Sequence, residues 1–208
     1  MELDQVNYIH PTSIISPSVK LGRNNYIGPF CHITGNTVVG DNNRFESHCS
    51  IGTPPEHTDM FTYTEGKTVI GNNNIIREFV TIHAGATRTT TIGNNNKILR
   101  GAYIGHDTII EDFVNIAANV LLGGYCYIME GAKLGLSAVC HQRSKIGAYV
   151  MVGMSSVITK TSSILPGNVY IGSPARILEP NDFGLKKSGI TKERLNELMV
   201  RYKDIEMI

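Results

Sequence analysis

The sequence predicts an all-β fold: a parallel β-helix wound from hexapeptide repeats, followed by a short α-helical segment. Three observations predict it. The first is a period. Between Ile92 and Ile164 the thirteen residues taken six apart are all apolar, and ten of them are β-branched. Six is neither the 3.6 of a helix nor the 2 of a half-buried strand, and a sustained hexapeptide repeat marks a parallel β-helix, in which three short strands make one triangular turn. The second is the glycine that follows many of these positions, as in Ile104-Gly105, Leu122-Gly123, Leu134-Gly135, Ile146-Gly147 and Val152-Gly153. Glycine suits the tight backbone where a strand gives way to a corner. The third is a recurring asparagine cluster: Gly22-Arg23-Asn24-Asn25, Gly40-Asp41-Asn42-Asn43, Gly71-Asn72-Asn73-Asn74 and Gly93-Asn94-Asn95-Asn96. Asparagine tolerates positive φ and bonds its own backbone, so these clusters read as corners.

Taken in order, the period starts at Ile9 and runs through Ile15, Leu21, Ile27, Ile33, Val39, Phe45 and Ile51. It stops at Gly52. Residues 53–68, with Pro54-Pro55, Asp59 and Gly66, show no repeat and read as a loop thrown out of the prism. The phase returns at Ile70, Ile76 and Ile82, is interrupted by a shorter insertion over 84–91, and resumes at Ile92. The stacked positions make about eight coils, a prism roughly 38 Å long at about 4.8 Å per coil. Past Ile164 the frame slips at Pro166-Gly167, and Tyr170-Ile171 closes the last turn. From Glu179 the pattern changes. Thr191 is placed to N-cap a helix whose Leu195, Leu198, Met199, Tyr202 and Ile205 form one apolar face. That helix is expected to cover the open end of the prism, whose edge strands are otherwise sticky. Residues 1–178 are thus expected to be the β-helix domain and 179–208 a helical segment.

Composition excludes several classes. The chain has 208 residues and a formal charge of +1, which excludes a protein that binds nucleic acid through bulk charge. No apolar run approaches 18 residues and Met1–Lys20 shows no leader pattern, so the expectation is a soluble, cytoplasmic protein with no membrane insertion. Cys31, Cys49, Cys126 and Cys140 fall at or beside stacked positions and read as structural thiols rather than disulfides or metal ligands.

The phase also places the insertions. Ile51, Ile82, Ile104, Leu122, Cys140 and Ile158 share one register, so both loops leave the prism along one edge. Immediately after that register come His83, Gly105-His106, Gly123-Gly124 and His141-Gln142. Histidines gathered beneath two loops on a rigid scaffold point to a functional site.

These segments carry a family resemblance. Ile76-Arg77-Glu78-Phe79-Val80-Thr81-Ile82-His83-Ala84-Gly85, then Ile104-Gly105-His106-Asp107, then Val139-Cys140-His141-Gln142, resemble the UDP-N-acetylglucosamine O-acyltransferases of lipid A biosynthesis, as does Phe183-Gly184-Leu185-Lys186-Lys187. The resemblance implies a left-handed β-helix, an exception to the right-handed crossover rule, and a homotrimer with sites in the clefts between prisms. By position, His106 matches the general base and Gly124 the glycine whose N–H faces the oxyanion. His141 and Gln142 match residues lining the acceptor site, and Asp59 matches an acidic loop residue. Tyr103 and Tyr125 stand where the family has histidines, and Phe61 or Thr62 stands near its loop lysine. Lys187-Ser188 replaces an arginine pair that grips the nucleotide diphosphate, and Phe183 replaces a nearby acid. Met154 falls at the acyl-length ruler, where a side chain shortens the groove. Gly172-Ser173-Pro174-Ala175-Arg176 resembles the closing motif of coenzyme A-dependent acetyltransferases, with Arg176 suited to phosphate. The resemblance therefore implies an acyltransferase acting on a hydroxyl or amine of another nucleotide-linked sugar. Asp59, His83, Tyr103, Tyr125, His141, Gln142 and Lys187 are expected at the acceptor, Met154 and Arg176 at the donor. Acyl-coenzyme A or acyl carrier protein serves as co-substrate, with no permanent cofactor and no metal.

The residues support this chemistry without the family. Transfer from a thioester needs a base, an oxyanion donor and a slot for the thioester arm. Histidine, with a pKa of about 6.5, suits the first. A backbone N–H at Gly123-Gly124 suits the second and contributes about 3–4 kcal/mol in known sites. No nucleophile elbow is present, so transfer is expected to be direct. Two alternatives use the same prism. A zinc hydratase of the γ-carbonic anhydrase type needs two closely spaced histidines on one coil, whereas His83, His106 and His141 lie on different coils. A purely structural prism needs neither paired loops nor a histidine edge.

Overall fold

The computed structural model describes residues 6–56 and 65–207. They wind into a left-handed parallel β-helix of triangular section, with three sheets of ten, eight and seven strands. The first face runs from Tyr8–Ile9 to Asn168–Ile171, and its tenth strand, Arg176–Pro180, pairs antiparallel with Asn168–Ile171. The second face runs from Ile14–Ile15 to Val157–Ile158, and the third from Lys20–Leu21 to Lys145–Ile146, extended by a bridge between Ile146 and Ile164. Eight turns are complete. Tyr170 does not end the last of them: it pairs with Val152 at 1% exposure and opens a ninth.

Most strands are two residues long, with one side chain outward and the next inward. The inward residue is the period-six position. Ile27 stacks on Phe45, Phe45 on Ile76 and Ile76 on Ile98, each fully buried. Burying one such side chain stabilises the fold by about 1.5–3 kcal/mol, so each turn rests on three of these contacts with its neighbour. In the first described coil Ile9 stays 41% exposed.

The asparagine clusters form the edge between the third and first faces. Asn24, Asn42, Asn73 and Asn95 hold φ of 55–58°. The asparagine after each points inward and builds a ladder. Asn25 N–H donates to Asn7 Oδ1 (2.8 Å), Asn43 N–H to Asn25 Oδ1 (2.8 Å), Asn74 N–H to Asn43 Oδ1 (3.0 Å) and Asn96 N–H to Asn74 Oδ1 (2.8 Å). The side chain supplies the acceptor that a turn amide lacks. The four cysteines are free and buried, and burial pushes the Cys126 thiol up to about 12, so it serves as packing, not as a nucleophile.

Both insertions leave from the edge between the second and third faces, as the phase predicts. The strands reach further into them than the pattern suggests: Ser50–Thr53 and Lys67–Ile70 bound the first, Thr81–His83 and Thr90–Ile92 the second.

The C-terminal segment holds α1 (Asp182–Lys187) and α2 (Lys192–Asp204), the latter N-capped by Thr191. Contrary to expectation, α2 does not cover the open end. It lies along the side of the later coils, where Leu198 and Tyr202 pack on Met129 and Ala148. Asn181 turns the chain back by donating to Gly167 O, which sets the helix beside the prism. Polar contacts fix it there: Lys145 Nζ donates to Ile205 O at 2.9 Å, Arg194 pairs with Glu130 at 2.6 Å, and Arg201 pairs with Glu111. No helix among the described residues is long and apolar enough to cross a membrane.

Candidate active site

Each coil turns the edge between the second and third faces with four residues, and successive coils stack these into ladders. One ladder is Gly105, Gly123 and His141. The next is His106, Gly124 and Gln142. The third is Asp107, Tyr125 and Arg143, all in the left-handed region with φ of 60–62°. The backbone stitches them together: Tyr125 N–H donates to His106 O (2.8 Å) and Arg143 N–H to Gly124 O (2.9 Å).

His106 is 8% exposed. Its Nδ1 lies 2.6 Å from Asp107 Oδ2. Asp107 is fully buried, which alone would raise its pKa. The bond from His106 and the backbone amides of Arg88, Ala86 and Thr87 outweigh burial and hold the carboxyl down to about 2. An ionised carboxylate only accepts, so His106 Nδ1 is the donor, and the neutral imidazole then carries its lone pair on Nε2. The other face of the ring lies against Gly124. A Cβ at Gly124 would sit 2.8 Å from both Cε1 and Nε2, so only glycine allows the imidazole this position. Among the described residues the Gly124 N–H makes no hydrogen bond. The imidazole and a backbone amide with no partner among the described residues thus meet at one point.

The second loop is wrapped around the same carboxylate. Asp107 accepts from Ala86 N–H and Thr87 N–H, each at 2.8 Å, and Arg88 Nε donates to Asp107 O at 2.7 Å. Arg88 also donates to Tyr125 O (3.3 Å), and the Thr87 hydroxyl donates to Tyr125 OH (3.2 Å). Tyr125 meets His106 edge-on at 5.2 Å between ring centres. Asp107, Thr87, Arg88 and Arg143 are absent from the sequence-based set. Asp107 was legible as the neighbour of His106. The others belong to the site only because the ladders align.

The remaining expected residues divide by edge. His83 lies at the base of the first loop, 5% exposed, with Nδ1 2.7 Å from Pro54 O and its ring 5.1 Å from that of Tyr103. Tyr103 OH donates to Glu56 Oε2 at 3.0 Å, and burial together with this bond pushes the phenol well above its ordinary pKa. These two residues tie Pro54 and Glu56, at the start of the loop, to the prism. His141 and Gln142 are exposed on the same edge as His106. Asp59, Phe61 and Thr62 lie outside the described residues. Met154, 69% exposed, is on the edge between the first and second faces. Arg176 is in the antiparallel strand that ends the first face. Lys187 ends α1 on the edge between the third and first faces, beside a groove of about 330 Å³ lined by Phe113, Gly131, Lys133, Tyr149 and Ser188. One chain therefore brings together His106, Gly124, Tyr125, His141 and Gln142, while Met154 and Lys187 occupy its other two edges. Among the described residues no group of three His, Cys, Asp or Glu side chains is placed to hold a metal ion.

The sequence profile of the bacterial transferase hexapeptide (six repeats) family matches residues 18–53 and 89–124. The solved structure of the Francisella novicida UDP-N-acetylglucosamine acyltransferase superposes with a TM-score of 0.78 at 30% identity, covering 94% of this chain and 78% of that one. The chain belongs to the hexapeptide-repeat transferase family. Within the family, the Campylobacter jejuni UDP-N-acetylglucosamine acyltransferase superposes with a TM-score of 0.83 at 27% identity, covering 96% of this chain and 79% of that one. Among curated family members, the acyl-[acyl-carrier-protein]–UDP-N-acetylglucosamine O-acyltransferase of Gloeothece citriformis is 33% identical over 155 residues, 74% of this chain and 55% of its own length. The Thiobacillus denitrificans enzyme of the same name is 38% identical over 133 residues, 62% of this chain and 51% of its own. The chain spans about half the length of the curated relatives it matches.

Proposed function

We propose that this protein is an acyltransferase that moves an acyl group from a thioester directly to a hydroxyl or amine of a nucleotide-linked sugar. The observation that carries the reading is the His106 imidazole, held through Nδ1 by a buried carboxylate and seated against the open amide of Gly124. In the reaction Nε2 takes the proton from the acceptor as its oxygen or nitrogen attacks the thioester carbonyl. The Gly124 N–H stabilises the tetrahedral oxyanion; as it collapses the C–S bond breaks, and the sulfur leaves as a thiol with the proton that Nε2 returns. His141 and Gln142 line the acceptor side on the same edge. The names of the relatives support a UDP-sugar acceptor and acyl carrier protein as donor, while Arg176 keeps coenzyme A as the other donor to test.

The edge division supports a shared site. Lys187 and Met154 reach a His106 edge only from a neighbouring prism, so the working unit is a homotrimer with the site in each cleft, in which residues 1–178 form the catalytic prism and 179–208 help carry the acceptor contacts.

The test is steady-state thiol release from acyl-acyl carrier protein and acyl-coenzyme A, with UDP-N-acetylglucosamine as the first acceptor. His106→Ala is expected to lower kcat by about 10²–10⁴-fold, the usual value of general-base assistance, with circular dichroism and trimer unchanged. A variant with wild-type kcat places the base elsewhere and overturns the mechanism.

A further inference from the structure

The proposed base and the proposed oxyanion donor come from different coils. His106 is in one and Gly124 in the next, and the strands that lead into them, Tyr103–Ile104 and Leu121–Leu122, pair in register. How the two groups sit relative to each other depends on how the two corners are held together, and one side chain holds both. Arg88 Nε donates to Asp107 O at 2.7 Å, and its Nη2 donates to Tyr125 O at 3.3 Å. Asp107 directly follows His106, and Tyr125 directly follows Gly124. We propose that Arg88 is a positioning residue for acyl transfer: its guanidinium is a splint that fixes the coil of the base against the coil of the oxyanion donor.

The two carbonyls depend on this side chain. Among the described residues no backbone amide and no other side chain donates to Asp107 O or Tyr125 O. Both residues hold the left-handed conformation, with φ of 60° and 62°, which a tyrosine adopts only where its surroundings impose it. Bonds from a charged donor are the stronger kind, so a corner held this way resists rotation of its peptide. A planar fork suits the task. Nε and Nη2 lie in one rigid plane, so a single guanidinium sets the spacing of the two carbonyls, as an ammonium on a flexible stem does not. Arg88 is itself anchored. Its own N–H donates to Asp107 Oδ1, on the carboxylate whose other oxygen meets His106 Nδ1, and its half-buried side chain lies 5.8 Å from the centre of the Tyr125 ring. The neighbouring Thr87 hydroxyl spans the same two coils, 3.1 Å from Asp107 Oδ1 and 3.2 Å from Tyr125 OH. The second insertion therefore joins the orienting carboxylate, the corner after the base and the corner after the oxyanion donor. A reacting constellation has to be held to within about 0.5 Å, so slack between these coils costs rate rather than binding.

Arg88 has this role only if His106 and Gly124 are base and oxyanion donor, the reading proposed above. The first arm of the test is thiol release from acyl-acyl carrier protein with UDP-N-acetylglucosamine, for wild type, Arg88→Ala, Arg88→Lys, His106→Ala and each Arg88 change combined with His106→Ala. Arg88→Ala is expected to lower kcat by about 10–100-fold with KM for both substrates unchanged, the pattern of an interaction needed only in the transition state. Arg88→Lys should fall between it and wild type, because it keeps the charge without the fork. In the His106→Ala background the Arg88 changes should cost much less, since a splint has no base left to align. Circular dichroism separates lost rate from lost fold, and if Arg88→Ala does not fold, Arg88→Lys carries the same comparisons. The second arm needs no substrate. Tyr125 N–H donates to His106 O across the two corners, and its hydrogen exchange should quicken by about tenfold or more when the charged bonds are lost. Unchanged exchange at Tyr125, wild-type kcat in Arg88→Lys, or an equal loss with and without His106 overturns the splint. If His106→Ala itself keeps wild-type kcat, the reading of the base fails. If His106→Ala is impaired and the Arg88 variants are not, the splint alone fails.

Discussion

Gly124→Ala tests the site with one carbon. The new Cβ would lie 2.8 Å from His106 Nε2 and Cε1 and 3.2 Å from Cδ2. Heavy atoms separate comfortably at about 3.5 Å or more, so the imidazole must retreat by more than half an ångström. It cannot simply slide, because its Nδ1 is fastened 2.6 Å from a carboxylate that the amides of 86–88 hold in place. The ring must tilt about that bond, and Nε2, the proposed base, lies at the far end of the lever and moves most. A misplacement near 1 Å costs about 10²-fold in rate, so kcat is expected to fall between 10- and 100-fold. The folded state should be little affected, since the added methyl points at a side chain rather than into the stacked core. The assay is thiol release under saturating donor and acceptor, with thermal unfolding and sedimentation as controls on the same preparation. If Gly124→Ala keeps wild-type kcat, the ring is not poised where this geometry puts it, and the pairing of base with oxyanion donor at Gly124 is refuted.

Other outcomes follow from the same structure. Asp107→Asn should lower stability at neutral pH. The wild-type carboxyl, depressed from 3.8 to about 2, contributes about 2 kcal/mol that is fully present above pH 4 and disappears as pH falls towards 2. Urea unfolding at pH 7 and at pH 2.5 should show the two proteins converging in acid, and parallel curves would contradict this. Met154→Gly should raise the relative rate with long acyl donors, because an exposed side chain is removed from the expected acyl groove; an unchanged chain-length profile across C4 to C14 thioesters would remove Met154 from that groove. Sedimentation at micromolar concentration should give a trimer, and a monomer would end the shared-site reading.

Much of the fold was legible because the hexapeptide phase is a counting problem. One inward residue in six, held through two interruptions, was enough to assign every face and to place both insertions on one edge, since a slip of even one residue would turn the stack outward. What stayed hidden depends on three-dimensional addresses. Leu198 and Tyr202 announced that α2 has an apolar face, but periodicity says only that such a face is covered. It took the turn at Asn181 and the groove by Met129 and Ala148 to show where. Arg88 and Arg143 were not singled out in the sequence, and only the stacking of the coils brings them within 5.8 Å and 4.6 Å of the Tyr125 ring. His83 stood in the expected histidine set, and its contacts with the loop backbone at Pro54 and with the Tyr103 ring show only in three dimensions. Tyr170 looked like a closing residue and proved to be another rung.

The placement of α2 gives the molecule two unlike ends. Coils stacked in a line make contact only with the coils above and below, so stability accumulates by nearest neighbours. The helix breaks that uniformity by strapping the later coils together through Glu111, Glu130 and Lys145, while among the described residues the coils around Tyr8, Ile14 and Lys20 have no such strap. In chain order the strap comes after every coil it binds. On the ribosome each new coil can therefore add to the edge left by the one before, like bricks on a rising course. The structure is tied off only when Thr191 and the residues beyond it have emerged. In chain order the fastening contacts therefore follow the whole histidine edge.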